Sequence, residues 1–286
     1  MKEIAAGVYV EDRFAGGAVG LISSEKGHVL VDTPMLPSEA REWRMAIMQI
    51  SDAPICGIVN TDYHPEHFLG NAYIGPARSY GHAASGKPLT KYPTTLEQLA
   101  SAYRETMPDV AQEIAETTVV RPEVCVDSEV TLHLGDRRIE ILALDGHTPA
   151  SLGVLLPEER ILFAGDTLTD NEHPAMYQAN TLAWIDTLER VKTMEVDTLV
   201  TGKGALVDKS VIDPLIAYIT EMHRRVSDMF AGGASRRECV DKIGMLDFFP
   251  FDDDEATAVR KRRRGDVERV YTEIRIASKK KRRASR

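Results

Sequence analysis

Four side chains that can bind a metal ion lie within six residues, directly after a short apolar run. The run, residues 55–59, predicts a buried strand, and Pro65 predicts that the chain then turns and opens a helix near Glu66. The four side chains are Asp62, His64, Glu66 and His67. Carboxylates and imidazoles at this spacing can converge on two adjacent points, and zinc, manganese and iron prefer such donors. A polar loop can also carry two histidines by chance, so this interpretation needs support from elsewhere in the chain.

Two later segments give that support, because each places a ligand-type side chain after an apolar run. His147 follows residues 139–144, within the sequence Asp-Gly-His-Thr-Pro-Ala-Ser. Asp166 follows residues 161–163, within the sequence Ala-Gly-Asp-Thr. Both apolar runs predict strands, so both side chains are expected at strand ends.

The remaining pattern predicts strands and helices in two successive sets, each with strands first and a helix after them. Strands are expected at residues 8–10, 18–22, 29–31, 77–81, 124–126, 130–134, 153–156 and 198–201, besides those named above. Helices are expected at residues 38–48 with Ser38 as N-cap, 94–116 with a break at Pro108, 182–194, 211–230 and 255–276. Ser235 and Glu238 predict a capping box that opens a further short helix. This order predicts an α/β fold in which two ββα halves pack their sheets face to face.

Together these features resemble the metallo-β-lactamase superfamily. Its pattern is a strand-end HxHxDH motif, a GHTPGS-like histidine, a Gly-Asp pair and a final GHG histidine. The resemblance extends from about Val8 to about Ile276 and implies a four-layer αββα sandwich with extra C-terminal helices. It implies one domain over residues 1–277, with a core at about 7–205 and C-terminal helices at about 208–277. A basic disordered tail is expected at 278–286.

The resemblance also implies a ligand set. The first metal would be held by Asp62, His64 and His147, with Asp166 bridging. The second would be held by Glu66, His67 and Asp166, and by a last residue that the sequence replaces. Asp62 stands where the family has its first histidine, Glu66 replaces an aspartate, and Lys203 replaces the last histidine. Asp62 can still ligate through oxygen, whereas a protonated lysine has no lone pair to offer.

By resemblance, the chain is expected to be a metal-dependent hydrolase. Metal-bound hydroxide would attack a small ester, thioester, lactone or related substrate. One or two divalent ions per chain are expected, with zinc first and iron or manganese as alternatives. Two other functions stay open: a mononuclear non-haem iron oxygenase acting on a small sulfur compound, because two histidines and one carboxylate also bind iron in such enzymes, and an inactive relic of the site.

Two residues are expected to take part in the chemistry. Glu66 would be a weak ligand of the second metal or a general base, since either role suits a carboxylate. Lys203 would place its ammonium group in the space of the second metal, pair with Glu66 and Asp166, and stabilise the developing oxyanion. The lysine at a ligand position is the one observation behind this hypothesis.

Five further residues are expected behind or around the site. They are Asp32, Tyr63, His82, His173 and Tyr177. Asp32 ends a predicted strand and, by resemblance, would orient a ligand, although a strand-end aspartate also binds backbone N–H groups. The last two residues lie in the polar loop 170–180, which follows Asp166 and would line the pocket or serve as a plain connector.

Charge and cysteine content restrict the partners. Residues 260–286 hold 13 Lys or Arg against 3 Asp or Glu, whereas the rest of the chain holds 22 against 41. An acidic body argues against a broad nucleic-acid surface, so a small-molecule substrate is expected, and a homo-oligomer is left open. Three scattered cysteines, no signal peptide and no run of 18 apolar residues predict a cytoplasmic protein without a membrane span.

Overall fold

The computed structural model describes residues 1–284, which form two compact units. The first unit comprises Met1–Leu144, Ala150–Gly165 and Glu195–Leu206. The second comprises Asp145–Pro149, Asp166–Met194 and the described residues from Val207 onward. The single domain expected over 1–277, with a core at 7–205, stays a prediction. Segments 145–149 and 166–194 of that expected core group with the described residues from Val207 onward.

The first sheet occupies the N-terminal half of the first unit. Its strands, in spatial order, are β1 (Lys2–Ala5), β2 (Val8–Glu11), β3 (Val19–Ser24), β4 (Gly27–Val31), β5 (Ile55–Val59), β6 (Arg78–His82) and β7 (Val124–Val126). The first four pair antiparallel, and the pairs from β4 to β7 are parallel. Parallel neighbours bring the carboxyl ends of β4 and β5 to the same edge of the sheet. Asp32 and the ligand loop leave from these two ends.

The second sheet is built from the later strands. They are β8 (Glu129–Leu134), β9 (Arg137–Ala143), β10 (Leu152–Leu156), β11 (Ile161–Gly165), β12 (Thr198–Thr201) and β13 (Leu206–Val207). Neighbours from β8 to β11 are antiparallel, and β12 lies parallel to β11. Every residue of β4 and of β11 is buried, as expected for strands covered on both faces.

The inner faces of the two sheets form one apolar core. Val29, Val31 and Val59 of the first sheet pack in the same cluster as Ile141 and Val154 of the second. Helix α1 (Pro37–Met48) covers the outer face of the first sheet, where its Trp43 and Ile47 pack against strand residues. Sheet packed on sheet with helices outside is one of the few ways to bury both faces of a sheet. The predicted α/β sandwich of two sheets with helices is confirmed.

Short helices border the ligand loop in the first unit. They are α2 (Pro65–Phe68), α3 (Asn71–Ile74), α4 (Gly86–Leu89), α5 (Tyr92–Tyr103) and α6 (Pro108–Glu116). The break predicted at Pro108 is confirmed, since α6 begins at that residue. The predicted N-cap of α1 is wrong: Leu36 holds the N-cap position without a side-chain bond, and Pro37 takes the first helical position that proline favours.

The second unit contains the remaining helices. They are α7 (Thr181–Thr193), α8 (Ile212–Ala231), α9 (Arg236–Lys242) and α10 (Ala256–Ala284). The predicted capping box is confirmed, with Ser235 and Glu238 bonding each other's backbone. The predicted disordered tail 278–286 is corrected over 278–284, where α10 continues because lysine, arginine and alanine are good helix formers. Residues 285 and 286 lie outside the described part. Within residues 1–284, none of the helices has both the length and the apolar content that crossing a membrane requires.

Candidate metal centre

The ligand loop begins where β5 ends and continues into α2. Asp62 and His64 are both buried, and the carboxylate of Asp62 contacts His64 twice. Its Oδ1 accepts a hydrogen bond from the backbone N–H of His64 at 2.7 Å, and its Oδ2 lies 2.9 Å from Nδ1 of the same ring. Burial works to lower the pKa of His64, but the charge and hydrogen bond of Asp62 outweigh it and raise that pKa. Asp62 and His64 therefore bring carboxylate oxygens and an imidazole nitrogen close together in the loop.

His67 is held from behind by Asp32. Its Nδ1 lies 2.9 Å from Oδ2 of Asp32, and its Nε2 lies 3.9 Å from Oδ1 of Asp62. Thr61 donates to both oxygens of Asp32, through its N–H at 2.6 Å and its hydroxyl at 2.7 Å. A carboxylate that binds Nδ1–H fixes the neutral ring with its lone pair on Nε2, which is the usual arrangement behind a metal-binding histidine.

The backbone of Asp32 is itself unusual. Its φ of 60° lies in the left-handed region, where aspartate is tolerated better than most residues. Burial raises the pKa of this carboxyl group, and the bonds to His67 and Thr61 oppose the rise. Positive φ in a buried aspartate directs the side chain toward Thr61 and His67, so local strain here coincides with the candidate site.

A buried amide pair closes the base of the loop. The side chain of Asn60 donates to the carbonyl of His67 at 2.8 Å, and Asn71 donates to Oδ1 of Asn60 at 2.8 Å. Thr33 adds a bond from its N–H to the same carbonyl at 3.0 Å and one from its hydroxyl to Asn71 at 2.8 Å. These residues were not predicted, although Asn60 and Asn71 flank the metal motif. They hold both ends of the ligand loop in fixed positions.

Glu66 lies half-buried at the start of α2. A Cβ atom on Gly16, which has a φ of +96°, would lie 2.9 Å from Cβ of Glu66. Burial raises the pKa of Glu66, and the neighbouring histidines oppose the rise. One donor atom of Glu66 lies within 4.8 Å of one of His64, and the same holds for Asp62 and His64. The close approach of Gly16 to Glu66 was not predicted, although a pair of glycines, Gly16 and Gly17, indicates a position where another group can approach the backbone closely.

Lys203 lies on the turn that follows β12, and its side chain is exposed. The preceding residue, Gly202, donates to the carbonyl of Gly165 at 2.9 Å and accepts from the N–H of Ala18 at 2.8 Å. Gly165 directly precedes Asp166 in the chain. The turn that carries Lys203 is therefore anchored at the end of β11, from which Asp166 leaves.

His147 and Asp166 lie in the second unit, 3.7 Å apart from Nε2 to Oδ2. His147 is buried, whereas the Asp166 side chain is 30% exposed. Trp184 of α7 contacts both turns: its ring lies 5.3 Å from that of His147, and its Nε1 donates to the carbonyl of Thr167 at 2.9 Å. The sequence predicted Trp184 only as part of a helix. No sequence pattern indicated its contacts with the two turns.

Three further residues that were predicted around the site, Tyr63, His82 and Tyr177, differ in their surroundings. Tyr63 is buried with its ring 5.1 Å from that of His64, and its carbonyl accepts from the hydroxyl of Tyr92 at 2.5 Å. His82 is buried at the end of β6, where its Nδ1 accepts from the N–H of Ala84 at 2.9 Å. Tyr177 is 48% exposed.

His173, which was predicted near the pocket, lies in an aromatic cluster. Its ring is buried among Tyr218, Phe249 and Phe251, and its Nε2 lies 3.2 Å from the carbonyl of Phe249. Burial lowers the pKa of this ring. An imidazole packs well in an aromatic cluster once one nitrogen has a hydrogen-bond partner, so His173 belongs to the interior of the second unit.

Each unit by itself offers donor types that suit a divalent ion. The loop of the first unit offers two imidazoles and two carboxylates, and the turns of the second unit offer an imidazole and a carboxylate. Nitrogen and oxygen donors of this kind suit zinc, manganese and iron. The ammonium of Lys203 does not fit as a ligand unless it is deprotonated.

Parts of the chain are similar in sequence to known proteins. The family model described as the Metallo-beta-lactamase superfamily matches residues 13–203. A hydroxyacylglutathione hydrolase of Mesorhizobium japonicum is 29% identical over 110 residues, which cover 35% of this chain and 42% of that protein. The match to this relative therefore spans less than half of its length.

Solved structures share the fold at low identity. The stereoselective inverting sec-alkylsulfatase Pisa1 from Pseudomonas sp. has a TM-score of 0.71 at 16% identity, covering 94% of this chain and 49% of that one. A metallo-beta-lactamase family protein from Thermus thermophilus has a TM-score of 0.65 at 16% identity, covering 94% and 92%. A metallo-beta-lactamase from Pontibacter korlensis has a TM-score of 0.56 at 18% identity, covering 77% and 97%. Because the family model covers most of the sequence and the two-sheet fold agrees with these structures, the chain belongs to the metallo-beta-lactamase superfamily.

Proposed function

We propose that this chain is a metal-dependent hydrolase that uses one divalent ion, zinc by expectation, to cleave a small ester, thioester or lactone. The observation that carries the proposal is the arrangement of buried donor atoms in the ligand loop. Asp62 Oδ2 lies 2.9 Å from Nδ1 of His64, so these two atoms can share one ion, and Asp32 lies 2.9 Å from Nδ1 of His67. A carboxylate in the latter position leaves Nε2 of His67 as the donor atom, which is typical of a metal centre.

The family pattern assigns the ligands. Asp62, His64 and His147 would hold the ion, with Asp166 as a further ligand. A bound zinc ion lowers the pKa of its water molecule to near neutrality and polarises the carbonyl group of a substrate. Glu66 and His67 would be the residues of the second position. Because Lys203 replaces the last imidazole there, we propose that this position holds no second ion.

The chain's own groups would then act around the substrate. Glu66 would accept a proton from the attacking water, and its half-buried carboxylate in the ligand loop supports this role. Lys203 would direct its ammonium group at the oxygen on which negative charge develops, because it can donate three hydrogen bonds but cannot ligate. Asp32 would keep the tautomer of His67 constant through the reaction.

The substrate class is supported by one relative. The Mesorhizobium japonicum protein is named a hydroxyacylglutathione hydrolase, whose substrate is a thioester. We propose thioesters first among the substrates for this reason, with esters and lactones after them. A nucleic acid is not proposed, because the sequence outside residues 260–286 is strongly acidic.

The test is metal content per chain by elemental analysis, on the wild type, on Lys203→His and on the matched control Lys26→His. Lys26 is an exposed lysine at the opposite end of β4 from Asp32, so it measures binding by a surface histidine alone. We expect one ion in the wild type and the control, two in Lys203→His, and hydrolysis of a thioester panel by the wild type. Two ions in the wild type would remove the proposed role of Lys203. No metal in any of the three proteins would overturn the proposed function, and iron with oxygen uptake would replace it with an oxygenase.

A further inference from the structure

Helix α10 presents a row of charged side chains along one face. Arg262, Asp266, Arg269 and Glu273 follow at spacings of four, three and four residues, which places them on one side of a helix. Asp266 is fully buried, and the other three are partly buried. Charged residues on the exposed face of a helix need no explanation, but a buried or half-buried charged row must have partners.

The partners are backbone groups of one irregular segment, residues 173–181, which follows the Asp166 turn. Arg262 donates to the carbonyl of His173 at 2.7 Å, and Asp266 accepts from the N–H of Met176 at 2.7 Å. Arg269 donates to the carbonyl of Ala179 at 2.6 Å.

The row ends at the first turn of α7. Glu273 accepts from the N–H of Thr181 at 3.2 Å and from its hydroxyl at 3.0 Å. A carboxylate at this place also complements the positive end of the helix dipole of α7. The charged row therefore takes up backbone donors and acceptors in chain order along a segment with no regular structure of its own.

This segment and the helix α7 that follows it are bonded to both turns that carry ligand-type residues of the second unit. Asn180 donates its N–H to the carbonyl of Gly146, next to His147, at 2.8 Å. Thr187 donates to the carbonyl of Asp145 at 2.6 Å. Trp184 donates to the carbonyl of Thr167, next to Asp166, at 2.9 Å. A continuous series of hydrogen bonds thus leads from α10 through residues 176–184 to both turns.

We propose that the charged row of α10 is a positioning element for His147 and Asp166. The proposal rests on the proposed function, in which these two residues bind the metal ion. Metal affinity depends on how accurately ligands are held before the ion arrives, and outer contacts of ligands commonly change it by about 10- to 100-fold. The basic C-terminal segment of the sequence therefore contains residues that act on the metal site through the backbone, without touching the ion.

The sharpest variant is Arg269→Met, which keeps the apolar stem and removes the donor to Ala179. Arg269→Lys restores a cation and a donor, and it is expected to recover part of any loss. The matched control is Tyr271→Phe, on the same helix. It removes the hydrogen bond from this hydroxyl to the carbonyl of Ala234, at 3.2 Å, which lies outside the segment 173–181.

Two measurements on the full chain test the proposal. The first is hydrogen–deuterium exchange of metal-free protein over residues 166–184. The second is the dissociation constant for zinc alone, measured by competition with a chelator. For Arg269→Met we expect faster exchange at 176–181 and zinc binding weakened by about 10-fold, with Tyr271→Phe equal to the wild type in both.

The outcomes separate the two proposals. If Arg269→Met matches Tyr271→Phe in exchange and in zinc affinity, the positioning role of the row is refuted. If exchange increases but zinc affinity is unchanged, the row holds the segment without acting on the metal ligands, which also refutes the proposal. If the wild type binds no zinc, the proposed function fails, while the exchange measurement still reports whether the row holds the segment.

Discussion

Asp266 should make the stability of the second unit depend on pH. Its carboxyl group is fully buried on α10, and one oxygen accepts a hydrogen bond from the N–H of Met176. Burial raises the pKa of Asp266 to about 7, although Met176 and the guanidinium groups of Arg262 and Arg263 oppose the rise. The facing group on α8 is Tyr218, whose own pKa is raised by burial and by the charge of Asp266. The folded protein therefore retains a proton at Asp266 that the unfolded chain releases near pH 4.

The sign and size of the effect follow from these two pKa values. Below about pH 3.8 both states are protonated, so Asp266 contributes no pH dependence. Between there and about pH 7 only the unfolded chain is ionised, so the free energy of unfolding falls as the pH rises. The full difference of about 3 pKa units corresponds to about 4 kcal/mol at about 1.4 kcal/mol per unit. Asp266→Asn has no proton to release, and its amide oxygen can still accept from Met176.

The assay is urea unfolding of chelator-treated wild type and Asp266→Asn at pH 5 and pH 8, followed by circular dichroism and tryptophan fluorescence. All groups common to both proteins cancel in the difference. We expect the stability of the variant relative to the wild type to increase by about 2.5 kcal/mol between pH 5 and pH 8. Asp241→Asn, at a half-exposed carboxylate on α9, is the matched control for a change of aspartate to asparagine. A difference that is constant with pH, or that reverses, would mean that Asp266 is ionised throughout and stabilised by Arg262 and Arg263.

Three further predictions concern the candidate site. Asp32→Asn should weaken zinc binding by about 10- to 100-fold, because the amide no longer fixes the tautomer of His67. The zinc dissociation constant is measured by competition with a chelator, and an unchanged constant would contradict this reasoning. Gly16→Ala should lower the free energy of unfolding by about 1–3 kcal/mol, because it adds a Cβ against Glu66 at a positive φ. Gly233→Ala, where φ is also positive but no atom lies within 4 Å, should cost about 1 kcal/mol; equal losses in urea unfolding would show that the contact with Glu66 is unimportant. Asp62→Asn should weaken zinc binding, measured by elemental analysis, and should leave the melting temperature of metal-free protein, measured by calorimetry, unchanged. If zinc binding and the melting temperature both fall, Asp62 is mainly a structural residue.

The sequence predicted the sheets well because local patterns determine them. Apolar runs such as 55–59 and 161–163 are bounded by turn residues, and both are strands in the structure. The start of the helix in the ligand loop could also be predicted from the sequence, because Pro65 restricts where a helix can begin. β1 was missed, because residues 2–5 are two polar side chains followed by two apolar ones, without the alternation of a strand, and they pair only at an edge.

Contacts between distant parts of the chain were not accessible in the same way. A supporting role for Asp32 behind a ligand was expected from the family alone, and neither its contact with His67 nor its positive φ had a signal in the sequence. His173 follows the Asp166 turn as a pocket residue would, yet an aromatic cluster formed by residues 218 and 249–251 determines its surroundings.

The end of the chain gives the clearest case. A helix was predicted over 255–276 and a disordered tail over 278–286, but the sequence did not indicate that the few acidic residues of this basic stretch bind other parts of the chain. Asp266 and Glu273 stand at helical spacing within this basic stretch, and both bind backbone groups some 90 residues earlier in the chain. An acidic residue inside a basic helix could have indicated that this face of the helix is buried. The neighbouring sequence, however, does not identify the group that the residue binds.

The three replaced positions of the metal motif become consistent with one another once charge is considered. Asp62 adds a negative charge where the family has a neutral imidazole, and Lys203 adds a positive charge where it has another. Glu66 keeps the charge of the aspartate it replaces. In the proposed centre, three carboxylates, those of Asp62, Glu66 and Asp166, match the charge of one divalent ion and one ammonium group. A second divalent ion would leave two positive charges beyond that set, next to an ammonium that cannot ligate. Changing Lys203 to histidine removes one of those charges and supplies a donor in the same step, so this single substitution is expected to raise the metal content from the proposed one ion per chain to two.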